Sequence, residues 1–290
     1  MSHRQPFPAA ERPVAQPASA RMRPTLAAGQ REFKLTRAAP APSINRMRAL
    51  TAALLVIAAA LPAWAQSRLV AELRVWSTRY NENVQKIDEL RTSLEQAAQQ
   101  NADLDTLLAL SQVCFMYGDV RAKTPEEKLE SYDRGRQAAK RAIELAPKNA
   151  PARFWYGTNT GRWGQTKGIM RSLFLLPTVK GAMETALELD PGYAPAYALG
   201  GSIYYEVPGF AGGDLDRSET LFRKGLDLDP HYTNMRVGLA RTLSKKGRVA
   251  DARREALAVL EEKAPSNPAD WIVKDVPQAK ALLDQIKERP

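Results

Sequence analysis

Four phrases along the chain share one pattern of apolar and charged positions: KRAIELAP ending at Pro147, ETALELDP at Pro191, RKGLDLDP at Pro230 and, more loosely, AVLEEKAP at Pro265. Each reads as the end of an amphipathic helix halted by proline. The first three are followed by a second helical segment: NAPARFWYGTNT, YAPAYALGGSIYY and HYTNMRVGLARTL. The prolines stand 44, 39 and 35 residues apart, so the unit repeats with a variable length. Upstream, residues 66–103 have helical composition and predict one or two N-terminal helices. Downstream, over 266–290, Asp275 is placed to cap a last helix with Pro277 in its first turn. That helix would shield the open end of the stack.

Residues 104–265 resemble the tetratricopeptide repeat (TPR), a helix–turn–helix unit of about 34 residues. The cleanest copy has Leu239-Ala240, Gly247, Ala252 and Ala256. The copy before it has Tyr197, Gly201, Tyr204, Phe222 and Pro230, and the next one back has Gly157, Ala186 and Pro191. In the earliest, Cys114, Tyr117, Ala142 and Pro147 fit less closely, with Cys114 at the small-residue position of the first helix and buried. The resemblance implies an all-α, right-handed superhelix with lengthened turns inside the repeats.

Those turns hold the candidate chemistry. From the glycine-like position of the first helix to the small position of the second, the regular spacing is twelve residues, as from Ala240 to Ala252. Gly201 to Ser218 is seventeen, Gly157 to Val179 twenty-two and Cys114 to Gly135 twenty-one. The extra residues include EVPGFAGGD, where Pro208 ends one helix, Asp214 caps the next and Phe210 is either a plug on the core or an exposed contact. They also include GRWGQTKG, Gly161 to Gly168. There Lys167 precedes the glycine and no hydroxyl follows, so no nucleotide-hydrolysing loop is present. Trp163, between Arg162 and Lys167, is suited to stacking on a partner or to folding back over helix ends. Leu173–Leu176 reads as core. Together the two stretches predict a composite recognition rim. The inner face of the first helices presents Phe154, Thr158, Ser202, Tyr205, Asn234, Val237 and Arg241. Only Asn234 and Arg241 suit a carboxylate clamp, so a mixed aromatic–polar groove for a peptide, a helix or a small organic ligand is expected.

Residues 1–46 are rich in Pro, Ala and Arg without a core-forming period. MRALTAALLVIAAALPAWAQ follows: Arg46 and Arg48, an apolar run from Ala49 to Leu61, and Ala63-Trp64-Ala65. This reads as a secretory signal over 47–65, cleaved after Ala65, with Met47 as the start and 1–46 as an extension. A periplasmic or secreted chain without a membrane span in its mature part is expected. The signal also removes the force of the +10 net charge: residues 1–65 hold nine basic and two acidic groups, leaving 33 against 30 in the remainder. Nucleic acid is therefore a poor partner. Cys114, the one cysteine, and His231, the one histidine after the signal segment, offer no disulfide, metal set or nucleophilic arrangement, so a non-enzymatic chain without a cofactor is expected. An exported TPR chain with long insertions loosely resembles the T-component of tripartite ATP-independent periplasmic transporters. That resemblance implies a substrate-binding-protein partner or an apolar ligand. A scaffold for an envelope complex is the alternative.

Overall fold

A computed structural model describes residues 67–287. The N-terminal extension, the signal segment and its cleavage position lie outside the described residues.

Every described element is helical. A first helix, α1, covers 67–76, followed by α2 (Gln85–Gln100). Four antiparallel pairs come next: α3 (Leu104–Met116) with α4 (Pro125–Leu145), α5 (Ala150–Lys167) with α6 (Ile169–Leu189), α7 (Ala194–Glu206) with α8 (Leu215–Leu228), and α9 (Thr233–Lys245) with α10 (Val249–Glu261). A single turn α11 (Pro268–Asp270), a π turn (Trp271–Asp275) and α12 (Val276–Lys287) finish the chain. The architecture is an all-α helical-repeat superhelix.

Local chemistry sets the helix ends. Thr124 and Glu127 form a reciprocal capping box at α4, with Pro125 in the first turn. The Asp103, Asn149 and Asp214 side chains accept backbone N–H bonds at the starts of α3, α5 and α8. α4, α6 and α8 stop at Leu145, Leu189 and Leu228, each two residues before its proline. Within the third repeat, the Phe222 ring is wedged between Gly201 of α7 and Gly238 of α9. A Cβ at either glycine would come within 2.6 Å of the ring, so only glycine lets three helices close on it.

The first helices all carry their small residue eight positions from the helix start: Ser111, Gly157, Gly201 and Ala240. Ser111, not Cys114, thus fills that role in the earliest repeat. Its hydroxyl donates to the Gly135 carbonyl at 2.8 Å, across from α4. Cys114 is buried one turn further on.

The extra residues are accommodated in different ways. In the second repeat they lengthen the helices: GRWGQTKG is the last two turns of α5, and the reversal is Gly168 alone, at φ 108°. In the first, a π turn (Tyr117–Arg121) precedes a short link. In the third, Gly209–Ala211 form one 3₁₀ turn and Gly212 is left-handed at φ 90°.

The C-terminal segment departs from expectation. Its start is capped by Asn267, whose side chain accepts from the Asp270 N–H. Asp275 lies inside the π turn, buried, and caps nothing. α12 packs Ala279, Leu282 and Ile286 against Val237, Ala240, Ala256 and Val259 of the last repeat. Just before it the chain returns to the N-terminal helices. Ala269 N–H donates to the Thr78 carbonyl at 3.0 Å, and Ala269 joins Leu73 and Tyr80 in one core cluster.

Candidate partner-binding surfaces

Three of the seven inner-face positions, Phe154, Asn234 and Val237, are engaged by the chain itself. Phe154 is buried, edge-on to Trp155 at 4.9 Å and to Tyr193 at 5.4 Å. Val237 is covered by α12. Asn234 donates to Asp275 at 3.4 Å, and Thr233 of the same helix donates to that carboxylate at 2.7 Å. Thr158 and Ser202 are half-buried. Burial pushes the Asp275 carboxyl up to about 6, against the pull of the Thr233 hydrogen bond.

Arg162 is engaged as well. It pairs with Asp119 of the π turn, which Lys274 approaches from the C-terminal segment at 2.7 Å. Lys274 reaches Asp270 at 2.9 Å as well, and Asp270 accepts from the Tyr80 hydroxyl at 2.7 Å. Burial pushes the Asp119 carboxyl up, but Arg162 and Lys274 outweigh it and hold it below the usual range. Burial likewise pulls the Lys274 ammonium down, and Asp119 with Asp270 outweighs that and raises it. This network ties α1–α2, α5 and the C-terminal segment together, and every charge in it has a partner.

The remaining candidates, including Tyr205 and Arg241 of the expected inner face, fall into two groups toward the edge that carries the turns inside each repeat. In the first, the Tyr205 ring lies under Arg241 at 4.6 Å and Lys245 at 4.8 Å, and Arg241 reaches Glu206 at 3.4 Å. The adjoining loop leaves Phe210 90 % exposed. The loop's ends are nevertheless fixed: Asp214 N–H donates to the Tyr204 carbonyl at 2.9 Å, and Lys180 Nζ to the Gly212 carbonyl at 3.0 Å. Phe210 is thus an exposed side chain on a held loop, not a plug. In the second group, Trp163 is ringed by Arg136, Lys167 and Arg171 at 5.3–5.6 Å.

Of the two stretches expected to form one rim, the Phe210 loop sits against Lys180, next to Val179, which packs beside Gly161 at the start of GRWGQTKG. The α5–α6 apex at Gly168 stands about 18 Å further along α6 at 1.5 Å per residue. Leu173–Leu176 is not uniformly core, because Phe174 is 73 % exposed. Lys245 escaped the sequence reading, although its place one turn after Arg241 was a usable signal. Among the described residues no group of three or more His, Cys, Asp or Glu could hold a metal, and no helix is long and apolar enough to cross a membrane.

The family described as regulator of microtubule dynamics protein 1-3 matches residues 69–210, and the tetratricopeptide repeat family matches residues 210–270. No curated protein sequence matches the chain. Among solved structures, a thermophilic TPR protein of Thermus thermophilus is 20 % identical, covering 75 % of this chain and 99 % of that one at a TM-score of 0.55. Pseudomonas aeruginosa pilF, at 14 % identity, covers 78 % and 92 % with a TM-score of 0.48. MamA of Desulfovibrio magneticus, at 18 % identity, covers 67 % and 94 % with a TM-score of 0.43. The Thermus protein shows the fold; the other two add nothing to that.

Proposed function

We propose that this tetratricopeptide-repeat chain is an exported, non-enzymatic module that binds a protein partner on the Tyr205–Phe210–Arg241 edge. One observation carries the reading. Phe210 stands almost fully exposed on a loop fixed at both ends, beside a tyrosine already flanked by two cations. An aromatic held in water has paid its ordering cost before binding and can anchor in a partner's pocket. Arg241 and Lys245 add an electrostatic rim that sets orientation and encounter rate. A ligand in the inner groove is less favoured, since Phe154, Asn234 and Val237 are engaged by neighbouring side chains and the C-terminal segment. The signal-like segment over 47–65 supports export, and the long repeats support association with a periplasmic transport system.

The test combines fractionation with co-isolation. The mature protein is expected in the periplasm with its N-terminus near Gln66, and it is expected to retain a partner that Phe210→Ala and Arg241→Ala lose while melting as the parent does. Cytoplasmic protein retaining residues 1–65 would end the export reading. Parent-like binding by both variants would end the edge assignment.

A further inference from the structure

The α5–α6 hairpin carries a feature that partner binding on the Phe210 edge does not use. α5 and α6 run to 18 and 21 residues, against 13 and 14 in the next pair, so the hairpin projects beyond its neighbour by about 8–10 Å. Its apex is apolar and open to water: Ile169 is 77 % exposed and Met170 82 %, with Phe174 just below. Such a cluster, at the apex of a hairpin, is not explained by packing.

Charge gives the cluster a direction. From Leu145 to Met183 the chain contains no Asp or Glu, and two basic residues of that run, Lys167 and Arg171, stand at the apex. Acidic and basic residues are mixed through the rest of 66–290. Lys167 and Arg171 flank the apex and have no ion-pair partner among the described residues. Lys167 lies over the Trp163 ring, and Arg171 over both Trp163 and Phe174. α6 starts with neither a side-chain cap nor an acid in its first turn, so the positive end of its dipole adds to the same field.

An exposed apolar apex flanked by cations without acidic partners fits an anionic bilayer surface, where apolar side chains enter the acyl boundary and cations meet the headgroup phosphates. A convex apex of flexible side chains also suits a soft surface better than a preformed protein pocket. We propose that the α5–α6 tip docks this protein on an anionic phospholipid surface. Ile169, Met170 and Phe174 enter the acyl boundary, Lys167 and Arg171 pair with phosphates, and Trp163 lies at headgroup level. The docking is independent of partner binding at the Phe210 edge.

Buried Cys114 makes the test clean, because a cysteine placed at the apex would be the one thiol open to reagent in the folded chain. Full-length Ile169→Cys carrying an environment-sensitive fluorophore is titrated with vesicles of phosphatidylglycerol and phosphatidylcholine in equal parts, and with phosphatidylcholine alone. Its emission is expected to shift to the blue with the anionic vesicles only, and the shift to be reversed by salt. Lys167→Ala and Arg171→Ala are each expected to weaken it about fivefold. Flotation of unlabelled protein supplies the second measurement, with the hairpin contribution lost in Met170→Asp/Phe174→Asp at an unchanged melting temperature. No shift with either vesicle, or an equal shift with both, overturns the proposal. A shift that grows with protein concentration alone assigns the tip to a second copy. One produced as strongly by polyglutamate assigns it to an acidic protein. Either of these also overturns it.

Discussion

Asp275→Asn is expected to stabilise the protein at neutral pH, because a buried carboxylate is being forced to ionise there. Asp275 is 1 % exposed, held by Thr233 at 2.7 Å and more loosely by Asn234 at 3.4 Å. Burial raises its pKa to about 6, and the nearby Asp270 charge pushes the same way. An unfolded aspartate titrates at about 3.9, so the folded chain holds this proton more tightly. Stability from this group is therefore fully present below about pH 4 and is lost as pH rises through about 6. A shift of about two units, at 1.36 kcal/mol each, makes the ionisation penalty about 2–3 kcal/mol at pH 7.5. Asparagine keeps an oxygen for Thr233 and carries no charge, but one of its sides then faces Asn234 with the wrong polarity. The net gain is about 1–2 kcal/mol. Urea unfolding followed by far-UV circular dichroism at pH 4.5, 6 and 7.5 measures it. The variant's advantage is expected to be near zero at the lowest pH and to reach its plateau by the highest. A difference that does not change with pH, or a parent more stable at pH 7.5, would refute the reasoning.

Other outcomes follow from the same structure. Phe222→Ala removes the ring that fills the gap between Gly201 and Gly238, and is expected to cost about 3–5 kcal/mol in thermal or urea unfolding. Burial pushes Glu219 up, yet hydrogen bonds from Lys246, Arg223 and Arg248 outweigh it and hold the carboxyl at about 2. The stabilisation from Glu219 is thus present above the unfolded carboxyl range and lost as pH falls toward about 2, so Glu219→Gln should lower the melting temperature at pH 7 by an amount that shrinks in acid. Cys114, fully buried with its thiol pushed up to about 12, should resist a thiol reagent in the native state and react on unfolding; rapid native labelling would contradict the packing of α3. Lys274→Ala leaves Asp119 and Asp270 facing each other and should speed amide exchange in 267–275 before it affects α9 or α10.

Features set by nearest neighbours could be read from the residues. Proline after each second helix and Asp214 as a cap depend on local chemistry, and both are found in the fold. Features set by distant contacts could not. GRWGQTKG reads as a turn because of its glycines, but Gly161 lies within reach of Val179 and Gly164 of Leu175 and Ser172, so both serve close helix packing instead. Only Gly168, at positive φ, reverses the chain. Asp275 reads as a cap because a proline follows two residues later. The π turn, where Val276 N–H reaches back to the Trp271 carbonyl, carries the helix on toward Pro277. The return of Ala269 to Thr78 spans most of the chain and left no local trace, and the C-terminal segment it belongs to engages Asn234 and Val237. The run without carboxylates from Leu145 to Met183 was legible, but its meaning required the exposure of the apex.

The claim that recognition occurs on the edge of the turns inside the repeats is tested most directly by photocrosslinking in cells producing the protein. A photoreactive phenylalanine analogue at position 210 is compared with the same analogue at 145 and 228, where Leu145 and Leu228 are exposed on the opposite edge. The account predicts a discrete protein adduct from position 210, absent at the other two and lost when Arg241→Ala is added. Adducts from 145 or 228 with none from 210 would contradict it.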